Sequence, residues 1–205
     1  MRLLLKFCAL ATILSACAAA PRSPISTVAH VDLPRFMGDW YVIAAIPAFI
    51  ERNAYDAVES YRLDPRGRIQ TTYRFRKGGF DGPREVYHPV GRVVDPASNA
   101  RWEMRFIWPF ESQYLIAYLS ADYGETIIAR DARDYVWIMA RKPTLTVGEF
   151  RRLRDRVAAM GYDVAKLRLV PQRGAVPPAS PPTPASPPTP ASPPTPASAA
   201  ATPAR

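Results

Sequence analysis

Few residues of this chain could do chemistry by type and spacing. It holds two histidines, His30 and His88, and two cysteines, Cys8 and Cys17. A hydrolytic triad needs a histidine beside a nucleophile, and a structural zinc needs four Cys or His ligands. His30 stands in a stretch rich in Ala, Pro, Ser and Thr, and His88 precedes Pro89, a position of strand edges and bulges. No Gly-x-Ser-x-Gly, phosphate loop or His-x-x-x-His spacing occurs. The expectation is no catalytic residue, no metal and no cofactor.

Cys17 does carry a chemistry. Arg2 and Lys6 accompany an apolar stretch at 3–14, the length of a secretory core and too short for a span of about 20 residues. It ends in Leu14-Ser15-Ala16-Cys17, which resembles a bacterial lipobox. Small residues admit a peptidase, and the Cys17 thiolate accepts a diacylglycerol. Residues 1–16 are then the lipoprotein signal peptide, Cys8 is discarded, and Cys17 is acylated at the new N-terminus. Two or more acyl chains anchor stably where one binds only marginally. Ala18 follows rather than Asp, which points to the periplasmic side of the outer membrane of a Gram-negative cell. The other reading is an ordinary secretory signal that contains Cys17.

The elements around these residues divide the chain. Residues 17–31 read as a lipidated tether. Residues 172–205 read as a disordered tail in which Pro-Pro-Thr-Pro-Ala-Ser begins at Pro181, Pro187 and Pro193, a composition for polyproline II. The tail is an inert spacer, a strut toward the cell wall or a ligand for a partner. Between them, 32–171 holds 21 of the 22 aromatics and 22 basic against 18 acidic residues, so only +4 of the chain's +9 lies on the domain. An exported domain of that charge gives no reason to expect nucleic acid.

Period-two alternation recurs in eight runs, near 39–46, 55–63, 68–77, 84–94, 101–107, 113–119, 125–130 and 134–141. Turn signals such as Asp64-Pro65-Arg66-Gly67 and Asp131-Ala132-Arg133-Asp134 separate them. Eight short strands on hairpin-length loops predict an all-β fold, an eight-stranded antiparallel up-and-down barrel with no exposed edges. A β-sandwich fits the same parity. Thr146 and Glu149 form a capping box ahead of Val147, Phe150, Leu153, Val157 and Met160 at helical spacing, with Gly161 to close. That predicts one C-terminal helix packed on the barrel exterior. Its Arg151, Arg152, Arg154 and Arg156 form a solvated face or touch anionic head groups.

Gly38-Asp39-Trp40-Tyr41 opens the first strand and resembles the Gly-x-Trp motif of lipocalins. Arg141, in Trp137-Ile138-Met139-Ala140-Arg141-Lys142-Pro143, resembles the family's closing arginine. The resemblance implies that Arg141 packs over Trp40 at the closed end of the barrel, with Gly38 leaving space. It is strongest to bacterial outer-membrane lipocalins of the apolipoprotein D-like branch, across about 30–172. Phe106-Ile107-Trp108-Pro109-Phe110 with Tyr114, Asp134-Tyr135-Val136-Trp137-Ile138 and Gly161-Tyr162-Asp163-Val164 are similar to that branch, whereas Ala121-Asp122-Tyr123 matches loosely and receives no role. The family implies non-catalytic binding, storage or transport of hydrophobic ligands such as fatty acids and lysophospholipids. The partners are then hydrophobic small molecules, the membrane through the anchor, and a second copy of the chain in a homodimer. A structural envelope lipoprotein that uses the Pro-rich tail to reach the cell wall is the alternative.

Parity sets the inward face: Val42, Ala44, Ala57, Glu59, Tyr61, Tyr73, Phe75, Trp102, Met104, Phe106, Tyr114, Ile116, Tyr118, Trp137 and Met139. The ligand wall is expected from Glu59, Tyr61, Tyr73, Phe75, Trp102, Met104, Phe106, Tyr114, Ile116, Tyr118 and Trp137. Glu59 is the odd member, because a buried carboxylate needs a partner or a proton. It bonds a ligand head group, pairs with an arginine, or lies outside through a register shift. The loops opposite Trp40 contain apolar Ala48-Phe49-Ile50 and Ile107-Trp108-Pro109-Phe110, which touch a bilayer and gate entry or fold inward as a plug.

Overall fold

β-branched and aromatic residues at every second position favour pleated strands, and they do so through most of the domain. The computed structural model describes residues 22–47, 51–107 and 110–174. The signal segment, Cys17, the Pro-rich repeat, residues 48–50 and residues 108–109 lie outside the described residues, as do the side chains of 107 and 110. The gating-loop expectation falls on those positions. The elements run α1 (Leu33–Phe36), β1 (Gly38–Ile46), β2 (Ala54–Leu63), β3 (Ile69–Lys77), β4 (Arg84–Tyr87), β5 (Val90–Val93), β6 (Arg101–Ile107), β7 (Phe110–Leu119), β8 (Glu125–Ala129), β9 (Val136–Ala140), α2 (Val147–Ala159) and β10 (Arg168–Leu169).

Eight strands, β1-β2-β3-β5-β6-β7-β8-β9, form an antiparallel ring that closes where β9 pairs with β1. β4 pairs with β3, and β10 pairs with β1. The single run expected at 84–94 is thus two strands. Pro89 has no N–H for the ladder, so the strand breaks at His88-Pro89. Above Tyr41–Val58 the pairing of β1 with β2 ends. Residues 168–173 occupy that seam: Val170 N–H donates to the Ile43 carbonyl, Asp56 N–H to the Pro171 carbonyl, and the Gln172 amide to the carbonyls of Val42 (2.8 Å) and Ala57 (3.1 Å).

Two bulges move residues that parity places inside to the outer face. The register shifts between Val42 and Ala44 in β1, and between Ile116 and Tyr118 in β7. A one-residue insertion exchanges the faces of a strand beyond it. Ala45 therefore joins the interior cluster, while Ala44 joins a second cluster outside the ring. Tyr118 moves outside by the same device and lies under the Arg156 guanidinium, 4.3 Å from its ring centroid.

The outer cluster is the bed of α2. Leu153 and Val157 are fully buried against outward residues of β1 and β7–β9, among them Ile43, Leu115, Ile127 and Ile138. The capping box forms as expected: Glu149 N–H donates to Thr146 Oγ1, and Thr146 N–H donates to Glu149 Oε2. Phe150 and Met160 are half-buried, and Val147, expected in the stripe, is exposed on the first turn.

The domain is longer than the 32–171 the composition suggests. The supposed tether is docked from Ser23 onward, where its carbonyl accepts from Arg133, and Ile25 is buried with its N–H on Asp131 Oδ1. Val28 N–H donates to the Ile116 carbonyl, and Val31 is buried with its N–H on the Ser98 carbonyl. At the other end Arg173 holds Asp56 and the Phe80 carbonyl. Asp131, Arg133, Asp56 and Phe80 all belong to the rim opposite Trp40, so both ends of the described chain leave at the same rim.

Candidate functional site

The barrel has a closed end. Trp40 is fully buried, and its Nε1–H donates to the Phe36 carbonyl at 2.9 Å. The Arg141 guanidinium lies 3.9 Å from the Trp40 ring centroid and donates to the carbonyls of Arg35, Phe36, Met37 and Asp39 at 2.8–3.0 Å. Those carbonyls include orphan acceptors left by the one-turn helix α1. Gly38 has φ +96, and a Cβ there would stand 3.3 Å from Arg141 Nη1. Tyr123, which matched its family motif only loosely, adds to this end: its hydroxyl accepts from Asp32 N–H, and Arg35 lies over its ring at 4.1 Å.

Above that floor the interior is aromatic. Phe36, Trp40, Tyr61, Trp102 and Tyr114 form a connected cluster, with Trp102 and Tyr114 stacked at 5.3 Å. Tyr135 and Trp137 continue one wall, and Tyr73, Phe75 and Tyr87 the other. Met104 and Ile116 are buried inside, and Phe106 is half-buried against them. Met104 fits because Gly91, across the ladder, has no Cβ to meet its sulfur. Of the eleven expected ligand-wall residues, only Tyr118 lies on the outer face. Phe36, Ile69, Thr71 and Tyr135 also face inward, and the sequence reading had not assigned them to the wall.

Glu59 lies inside, 1% exposed, so no register shift puts it outside. Among the described residues it pairs with no arginine. The Tyr114 hydroxyl bonds the Tyr61 hydroxyl, which donates to Glu59 Oε2. Burial pushes the Glu59 carboxyl up to about 8, the nearby Glu51 adds to the rise, and the tyrosine bonds oppose it. Burial and Glu59 together push the Tyr61 and Tyr114 hydroxyls well above their usual range. All three shifts favour the uncharged form of the trio. Glu51, in the loop after β1, is also buried and accepts from Trp137 Nε1–H at 3.1 Å. Among the described residues no lysine, arginine or histidine is buried, and no three His, Cys, Asp or Glu cluster to hold a metal.

A closed eight-stranded antiparallel barrel with an apolar interior, one sealed end and a helix outside is the architecture of a barrel that encloses one small ligand. A family model described as a lipocalin-like domain matches residues 31–172. The chain belongs to the lipocalin family, as a bacterial member of the branch of Blc and apolipoprotein D. It is 29% identical over 159 residues to the outer membrane lipoprotein Blc of Citrobacter freundii, covering 76% of this chain and 87% of that one. It is 24% identical over 160 residues to bovine apolipoprotein D, covering 74% and 82%. Among solved structures, the cockroach allergen Per a 4 shares the fold at TM-score 0.56 and 17% identity, over 74% of this chain and 96% of that one. Among the described residues, no helix is long and apolar enough to cross a membrane.

Proposed function

We propose that this chain is a lipid-anchored envelope lipocalin, a binding protein rather than an enzyme, which holds hydrophobic ligands in its barrel and stores or carries them. The observation that carries the reading is the wall itself: Tyr73, Phe75, Trp102, Met104, Tyr114, Ile116 and Trp137 turn apolar surface inward above a sealed floor. Such a wall favours a hydrocarbon chain over water. Fatty acids and lysophospholipids are the ligand classes to try first.

The place of the N-terminal segment supports membrane anchoring, and the Blc relative of Citrobacter freundii is named an outer membrane lipoprotein; the anchor of this chain would lie on the periplasmic side of that membrane. Ser23 and Ile25 are held at the rim opposite Trp40. Cys17 and Arg22 are five steps apart along the chain, a reach of at most about 18 Å. An acylated Cys17 would thus keep the mouth beside the bilayer from which a lipid must enter. The test is mass spectrometry of lipids extracted from a Cys17→Ala protein, with displacement of a fluorescent fatty acid. Recovered single-chain lipid and displacement support the reading; recovery of neither overturns it.

A further inference from the structure

Two buried polar atoms on the same inner face lack any protein partner: Glu59 Oε1 and Thr71 Oγ1. Glu59 is 1% exposed and Thr71 3%. They lie on adjacent strands one step apart in register, because Glu59 pairs with Tyr73 and Tyr61 with Thr71. An unmatched buried polar group costs about 1–3 kcal/mol, so two together on a wall otherwise satisfied mark a place that something polar completes.

We propose that Glu59 Oε1 and Thr71 Oγ1 form a head-group subsite for an uncharged oxygen function, a hydroxyl or ester carbonyl, on a single-chain lipid that enters head first. The proposal rests on the barrel being a lipid site. Tyr61 occupies Glu59 Oε2, and its hydroxyl also bonds that of Tyr114, so Oε1 is the oxygen left to meet a ligand; it accepts as a carboxylate oxygen and donates when it carries the carboxylic proton. Thr71 can donate or accept.

A fatty-acid anion suits this place in neither direction. Head first, it brings a charge beside the buried Glu59 carboxyl, where among the described residues no base is buried, and burying an unpaired charge is costly. Tail first, its methyl end leaves both oxygens unmatched. A neutral alcohol or monoacylglycerol meets both requirements.

The experiment measures displacement of N-phenyl-1-naphthylamine by 1-dodecanol and by dodecanoate at pH 7.5, for the native protein, Glu59→Gln, Glu59→Leu and Thr71→Val. Expected is a preference of about tenfold or more for the alcohol, kept in Glu59→Gln, whose amide still donates, and reduced in Thr71→Val and Glu59→Leu. Equal or tighter binding of dodecanoate to the native protein overturns the proposal while leaving the lipid-binding reading intact. So does an unchanged preference in both Thr71→Val and Glu59→Leu, which would mean that water alone completes the two oxygens. Failure of the protein to bind the probe or either competitor overturns both readings.

Discussion

Arg141 covers the ring of Trp40 at 3.9 Å while four of its hydrogen bonds end on backbone carbonyls between Arg35 and Asp39. One side chain from the end of the last ring strand thus fixes the helical turn and the strand that start the barrel. Residues 102 to 106 positions apart in sequence meet there, so the contact ties the start of the barrel to its last ring strand.

Removing this lock should be felt in stability. Arg141→Ala loses the cation–π contact and leaves the part-buried carbonyls of Phe36 and Met37 short of a donor, at a cost of about 2–3 kcal/mol. Gly38→Ala should cost about 1–2 kcal/mol, because an L-residue at φ +96 is strained and its Cβ would press on Arg141. Urea unfolding reads both. A midpoint unchanged in Arg141→Ala would show the lock to be ornamental.

Glu59 makes stability depend on pH. Its carboxyl titrates at about 8 when folded and at 4.5 when exposed. Between those values the native chain keeps a proton that the unfolded chain has released. Stability is therefore full below about 4.5, falls as pH rises toward 8 by at most about 1.4 kcal/mol per unit, and stops falling above it. The groups facing Glu59 are Tyr61 on its own strand, Tyr114 on β7, Tyr73 on β3 and Glu51 from the loop. The tyrosines stay uncharged in this range. Denaturant midpoints at pH 5, 6.5 and 8 should slope downward in the native protein and less so in Glu59→Gln. Parallel slopes would mean the proton lies elsewhere.

Gln172 defines where the domain stops. A chain ending at Gly174 should keep full stability and probe binding. A chain ending at Pro171, or Gln172→Ala, loses the two bonds that span the β1–β2 seam and should cost about 1–3 kcal/mol. Thermal melts of the three proteins distinguish these outcomes.

The barrel, its strand order, the outer helix and the Trp40–Arg141 contact were legible in the sequence, because each rests on local periodicity or on a specific motif. Tyr118 and Ala44 were misplaced for one reason. Each follows a bulge, and neither bulge carries a glycine, proline or positive-φ residue near it to signal the extra residue. Ile25, Val28 and Val31 were read as tether because isolated apolar residues among Ser, Thr and Ala have no period of their own. Their partners, Asp131, Ile116 and Ser98, are more than 60 residues distant. Thr71 shares the parity of Tyr73 and Phe75, so its inward face was within reach. That its oxygen is unmatched depends on packing, which no pattern of residue types contains.

Both ends of the described chain leave beside the mouth, through Ser23 on Arg133 and Arg173 on Asp56. Each is consequently a handle on the same pole of the domain. A purification tag joined directly at Arg22 or Gly174 would crowd the entrance, and attachment to a bead or chip at either point would turn the sealed Trp40 end to the solution and the entrance to the solid. Ligand measurements on this protein therefore belong on untagged chains free in solution, or on chains held through the Arg151–Arg154 face of α2, which lies on the outer wall away from the entrance.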